Sequence, residues 1–213
     1  MKALRYYGVN DLRLEEVDVP KIGPEEVLVK VEYSGICATD RSILHKPRIA
    51  SLWVNRTPLT IGHELAGRIF EMKKGLVDAN GAVLRKGDLV TVETGEYCGK
   101  CHFCRKGERS VCLNVKWRGF HSDHDGAFAE YMKASSSSVH KLLNGLTSRQ
   151  GAVIEPISIG VHAVRRTNIA SSDSVFIYGA GAIGLGILQY AKVLGARPII
   201  VSEFSKKRRE VAK

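Results

Sequence analysis

The stretch Ser174–Glu203, SVFIYGAGAIGLGILQYAKVLGARPIIVSE, decides the fold. Val175 to Tyr178 form a short apolar run. Gly179, Gly181 and Gly184 follow as G-x-G-x-x-G with Ile183 inside the turn, then comes a helical pattern, then a second apolar run ending at Glu203. Strand, glycine turn, helix, strand is the order of a βαβ unit, whose glycines permit a tight turn and the close approach of a pyrophosphate to a helix N-terminus. Alone, the glycine motif also fits a buried crossover with no ligand; between a strand and a helix it points to a dinucleotide. Glu203 falls nineteen residues after Gly184, where an acid accepts hydrogen bonds from the adenosine ribose. That predicts NAD in preference to NADP, because a 2′-phosphate would meet the carboxylate, although Lys206, Lys207, Arg208 and Arg209 follow closely.

Upstream, helical periodicity reaches back only to GAVIEPISIGVHAVRR, read as a linker helix, and residues 1 to about 150 read mostly as strand and loop. VLVKVEY, from Val27 to Tyr33, alternates Val27, Val29, Val31 and Tyr33 against Lys30 and Glu32, the period of a half-buried strand. KGDLVTVE and GAFAEYMKA each read as a glycine turn followed by a strand. There is no internal repeat, and only SSSS, residues 135 to 138, is low in complexity.

Four of the five cysteines lie in CGKCHFCRKGERSVC as Cys98-x2-Cys101-x2-Cys104-x7-Cys112. Two-residue gaps let thiolates converge on one ion and a longer return closes a tetrahedron, which describes a structural zinc site with no place for water. An iron–sulfur cluster is the competing reading, but the ferredoxin run ends Cys-x3-Cys-Pro, which is absent here. Four unrelated thiols are the bland reading. Cys37 stands apart in SGICATD, and His63-Glu64 in IGHELAG is the next pair of ligand type; a lone cysteine is usually a small buried hydrophobe, so neither segment is decisive by itself.

Taken together, GICATD, GHELAG, the four-cysteine lobe, GAFAEY, EPISIGVHA and GAGAIG resemble, in order and rough spacing, the zinc-dependent medium-chain dehydrogenases of the alcohol and polyol branch, such as the sorbitol, butanediol and threonine enzymes. The resemblance covers the whole chain. It implies a GroES-like β-barrel catalytic domain over residues 1–155, with its zinc lobe at about 95–115, followed by part of a Rossmann domain over 156–213. It implies that Cys37 and His63 bind a catalytic zinc, with Glu64 and Glu155 as the carboxylate candidates. Asp40 would hold the far nitrogen of His63, and Thr39 would take the alcohol proton. Ser42 departs from the pattern, since many relatives carry a proton-relaying histidine there.

The implied reaction is oxidation of a secondary alcohol, a polyol, diol or sugar, to a ketone with hydride transfer to NAD, using two zinc ions per chain. Only two of six Rossmann strands can be placed before Lys213, so an inactive or partner-dependent fragment is the alternative. The net charge of +10 concentrates at residues 98–120 and 206–213, which keeps a zinc-ribbon nucleic-acid module as a second alternative. It leaves the glycine turn and His63-Glu64 unexplained, and no nucleic-acid partner is expected. No apolar h-region or long apolar run occurs, predicting a cytoplasmic protein without a membrane partner, and the family implies a homodimer or homotetramer.

Overall fold

The computed structural model describes residues 1–120, 124–143 and 145–213. The chain divides into two compact units, Met1–Val153 and Ile154–Lys213. The first begins with an antiparallel ribbon, β1 (Lys2–Gly8) and β2 (Asp11–Glu16), whose β1 also pairs with β4 (Leu59–Thr60). Its main sheet contains β3 (Glu26–Gly35), β5 (Glu64–Met72), β6 (Leu89–Val92), β9 (Tyr131–Ser135) and β10 (Val139–Lys141), all antiparallel, in the order β10-β6-β5-β3-β9. The three strand segments expected from alternation, glycine turns and β-branched content are all present in it. Among the described residues these strands hydrogen-bond as separate sheets rather than as one closed ring, with an isolated bridge from Ala3 to Ala129.

One detail of β3 differs from the expected alternation. Val27, Leu28 and Val29 are all buried, while Tyr33 is 49% exposed. The register against β5 shifts between Leu28 and Val29 and again between Val31 and Tyr33. The first shift passes over Phe70 of β5 and the second over Glu32 of β3, so the second breaks the period of two along β3 and the face counted from Val27 does not survive to Tyr33. The core over this sheet is aliphatic, with Val29, Leu65, Ile69, Val90, Met132 and Val139 essentially fully buried. Each such side chain contributes roughly 1.5–3 kcal/mol against exposure.

Two helices interrupt what was read as strand and loop: α1 (Ala38–His45) and α2 (Pro47–Trp53). Their start signals are local. Cys37 caps α1 with its thiol while the Asp40 carboxylate returns to the Cys37 amide at 2.9 Å, a capping box built on cysteine. Pro47 opens α2, its fixed φ suited to a first helical position. A second core cluster, with Tyr6, Ile43, Leu59, Ile61 and Phe120, packs beneath these helices.

The cysteine lobe is framed by the short ribbon β7 (Gly95–Glu96) and β8 (Lys116–Trp117) and contains α3 (His102–Arg105). One turn, α4 (Ser148–Gly151), closes the unit under a Thr147–Gln150 capping box. The second unit has α5 (Ile154–Arg165), β11 (Val175–Tyr178), α6 (Ala182–Val193), β12 (Ile199–Ser202) and α7 (Lys206–Val211). β11 and β12 pair in parallel around α6, as the βαβ reading requires. Gly184 is needed for close approach: a Cβ there would collide with the Gly179 carbonyl, so the helix could not lie against the turn. No helix among the described residues is long and apolar enough to cross a membrane.

Candidate functional site

The capping box of α1 does more than start a helix, because it aims three groups at one point. Cys37 Sγ accepts the Thr39 amide at 3.5 Å, which keeps the thiol at the helix mouth beside the Thr39 backbone. Asp40 is 2% exposed and spends one oxygen on the Cys37 amide, while its other oxygen, Oδ1, stands 3.5 Å from His63 Nδ1. Neither of those two buried atoms has another partner. The distance is at the outer edge of hydrogen-bond range, so they form a loose pair waiting to be oriented. With Nδ1 turned to Asp40, Nε2 is the ring nitrogen left for a metal.

His63 is fixed from the other side by packing. The Gly62 carbonyl takes the Ala127 amide at 2.9 Å, and the Phe120 ring lies 4.5 Å from the imidazole centroid. Trp53, at the end of α2, stacks 5.4 Å from Phe120. Glu64 opens β5 opposite Gly35, where any Cβ would strike its carboxylate. Bare backbone at Gly35 therefore lets the Glu64 side chain fold toward Cys37.

Donor atoms of Cys37, His63 and Glu64 lie within 4.8 Å of one another. One thiol, one imidazole and one carboxylate form a set of the kind that leaves a coordination position for water or substrate. Burial opposes a charge on His63, but Asp40 and Cys37 outweigh it and push His63 up to about 10. Burial also holds the Glu64 carboxyl above its usual range, against the opposing pull of His63 and Cys37. A cation among them would satisfy all three groups, so the residues fit a zinc ion. Glu155 lies in the first turn of α5, in the second unit.

The lobe passes a stricter geometric test. Cys98 Sγ is 4.0 Å from Cys104 Sγ and 3.6 Å from Cys112 Sγ, and Cys101 Sγ is 4.0 Å from Cys112 Sγ. Thiolates ~2.3 Å from one zinc stand ~3.8 Å apart at a tetrahedral angle. These separations are too long for disulfides and too short to wrap a cluster of several irons. Backbone amides of Cys98, Cys101, Cys104 and Asn114 point at the sulfurs at 3.4 to 3.5 Å, as sulfurs carrying negative charge require. The Lys100 and Cys101 amides draw Cys98 down to about 6, whereas desolvation and neighbouring thiols push Cys104 up to about 12. A metal binding here would displace protons from the remaining thiols.

In the second unit, Gly179 takes φ 98° and Gly181 caps α6, leaving the turn open above both. Glu203 Oε2 accepts the Ala180 amide at 2.9 Å and Oε1 accepts the Ser205 amide at 2.9 Å. These amides hold its carboxyl below the usual range. Arg208 approaches Glu203 at 3.9 Å, and Arg209 donates to the Glu203 and Phe204 carbonyls at 2.7 and 2.6 Å. Thus Glu203 is anchored to the glycine turn itself.

Sequence reasoning missed Gly35, Trp53 and Phe120. SGIC held a usable cue in a glycine two residues before a candidate ligand; the two aromatics carried none, since their meeting depends on tertiary packing.

The model of the alcohol dehydrogenase GroES-like domain matches residues 23–144. Sorbitol dehydrogenase of Bacillus subtilis (strain 168) is 35% identical over 213 residues, covering 100% of this chain and 58% of the relative. L-threonine 3-dehydrogenase of Pyrococcus abyssi is 41% identical over the same length, again with 100% and 58% covered. Among solved structures, a protein of Sinorhizobium meliloti 1021 assigned as a zinc-binding dehydrogenase, bound to NADP, superposes with a TM-score of 0.88 at 33% identity, covering 99% of this chain and 58% of that one. The chain thus spans well under two thirds of the length of these relatives.

Proposed function

The chain belongs to the alcohol dehydrogenase GroES-like domain family, and on that footing we propose that the protein is a zinc-dependent dehydrogenase that oxidises a secondary alcohol of the polyol, diol or sugar class to a ketone. The observation that carries this reading is the convergence of Cys37, His63 and Glu64 with the buried Asp40 carboxylate behind His63. Cys37, His63 and Glu64 would hold the metal, and the resemblance adds Glu155 to the carboxylate candidates. Bound zinc supplies the Lewis acidity that lowers the pKa of an alcohol oxygen toward neutrality.

The chain's own groups do the rest. Asp40 accepts the Nδ1 proton of His63 and so fixes its tautomer and ring plane. The Thr39 hydroxyl accepts the alcohol proton and passes it onward; with Ser42 in place of a histidine, that route continues through water or ribose hydroxyls. Phe120 and Trp53 wall the site and exclude bulk water. Gly179, Gly181, Ile183 and Gly184 would cradle a dinucleotide's pyrophosphate, and the nicotinamide would supply the hydride acceptor for the carbinol carbon. NAD is the proposed coenzyme, because the anchored Glu203 carboxylate would repel a 2′-phosphate.

Zinc content measured by elemental analysis, with NADH binding followed by fluorescence and a polyol panel assayed for NAD reduction, tests the whole reading. Two zinc ions per chain, NADH binding and turnover of at least one secondary alcohol are expected. One zinc ion and no NADH binding would overturn it.

A further inference from the structure

Opposite charge is sorted onto two segments of the first unit. Residues 15–26, the end of β2 and the strap that leads into β3, hold five acids against Lys21, a net −4. Residues 98–120, which contain the cysteine lobe, hold six basic side chains against Glu108, a net +5. Only a few of these groups are used inside the chain. Glu15 takes the Tyr7 hydroxyl at 3.1 Å, Glu26 takes Lys133 at 3.1 Å, and Arg118 is held by Glu96 at 3.3 Å. Glu16, Asp18 and Glu25 in the first segment are exposed and make no ion pair among the described residues, and the same is true of Lys100, Arg105, Lys106, Arg109 and Lys116 in the second.

The two segments are also neighbours. One cavity beside β9 is lined by Val17, Asp18 and Pro20 of the strap and by Glu96 and Arg118 of the β7–β8 stem that carries the lobe. Each segment adds exposed apolar side chains to its charge, Val19 in the strap and Val111 and Leu113 in the lobe. Opposite charges that a fold holds side by side without pairing them are self-complementary about a two-fold axis. Rotation lays the strap of one copy on the lobe of the other, and the reverse contact forms at the same time.

We propose that the acidic strap and the basic cysteine lobe form a two-fold interface between two copies of this chain, each strap meeting the other copy's lobe. A partner of a single charge sign would use one patch and repel the other, whereas a second copy satisfies both. Every strap-to-lobe contact is made twice, so individually modest ion pairs add up. Val19, Val111 and Leu113 supply apolar area at the contact, with the charges as its polar rim. The proposal does not depend on turnover.

Sedimentation velocity of the freshly purified chain at about 0.05 M and about 0.5 M sodium chloride is the test. A dimer is expected at the lower salt, with Kd rising by about tenfold at the higher as the exposed charges are screened. Glu16→Lys, Asp18→Lys and Glu25→Lys made together should weaken the dimer by about 100-fold, with Tm and zinc content near parental. Arg105→Glu, Lys106→Glu and Arg109→Glu made together should do the same. An equimolar mixture of the two triple variants should dimerise again, because one copy then carries two positive patches and the other two negative ones; variants that had merely misfolded would not recover. A monomer at both salt concentrations, or a mixture that fails to pair, would overturn the proposal. So would a dimer that neither triple variant weakens, which would put the contact on another face, or a ladder of larger species, which would mean open head-to-tail pairing.

Discussion

Two cysteine regions of the first unit are built for one metal chemistry in opposite ways. In the lobe, four sulfurs within 4.8 Å of one another are approached by backbone amides, and among the described residues the group contains cysteines alone. At Cys37, one sulfur shares its corner with an imidazole and a carboxylate, backed by a buried aspartate and flanked by Phe120 and Trp53. Four soft ligands complete a tetrahedron and leave nothing to react; three mixed ligands leave a position and need outside support to stay oriented. On the proposed reading, the number and hardness of ligands separates a brace from a reaction centre.

The contrast is broken most directly by removing one sulfur from each region. Cys37→Ser should reduce alcohol-dependent NAD reduction to background and lose one zinc ion per chain, while Tm changes by less than about 2 °C. Cys101→Ser should also lose one zinc ion but lower Tm by about 10 °C, because metal affinity in a closed site is folding energy. Paired elemental analysis and differential scanning calorimetry decide it. If Cys101→Ser lost turnover with Tm unchanged, the lobe would not be the brace described here.

A smaller effect is expected behind His63. Asp40→Asn keeps the size and one acceptor of the side chain but removes the charge facing Nδ1, and should weaken zinc binding at the Cys37 site by about 10–100-fold. Competition with a chelator should show this for one zinc ion per chain and leave the lobe's ion untouched. Equal loss from both regions would mean that Asp40 acts through the fold.

How much of this was legible in the sequence follows from the range of each interaction. The lobe was readable because its ligands lie within a stretch of fifteen residues and spacing alone points to their convergence. The glycine turn was readable for the same reason. Cys37 and His63 are separated by two helices and β4, so only resemblance joined them. The helices were missed because their signals are unusual: a thiol in place of a hydroxyl at the cap of α1, and for α2 a start marked by Pro47 with no side-chain cap. The two register shifts between β3 and β5 pass over Phe70 and Glu32, residues that announce nothing, and Gly67 opposite the second lies on the other strand.

Gly35 sharpens the contrast at the level of one methyl group. Gly35→Ala would push against the Glu64 carboxylate, the mobile end of a side chain, so the strand should hold and Tm should fall by no more than about 3 °C. Displacing one of three donors should still weaken the mixed site's zinc. Turnover is expected to fall by about tenfold, with rescue by raised zinc in the assay. An unchanged zinc dependence would remove Glu64 from the ligand set.

The smallest effect concerns a pair on the sheet that is set beside the lobe. His140 Nε2 meets Glu93 Oε1 at 2.9 Å, across the β10–β6 ladder, and Asn80 holds His140 Nδ1 at 3.2 Å. The Glu93 contact raises the pKa of His140 despite partial burial, and Arg109 of the lobe pulls weakly the other way. An unfolded histidine titrates near ~6.5, so the pair contributes in full below that pH and its contribution is lost as pH rises through the higher folded value. Both partners are more than a quarter exposed, which limits the contribution to about 0.5 kcal/mol, or a Tm difference of about 2 °C. His140→Gln should therefore cost stability at pH 5.5 and almost none at pH 9. Repeating the comparison in Cys101→Ser locates the pair: a pH dependence that persists belongs to the sheet, and one that vanishes means the lobe holds Glu93 in place.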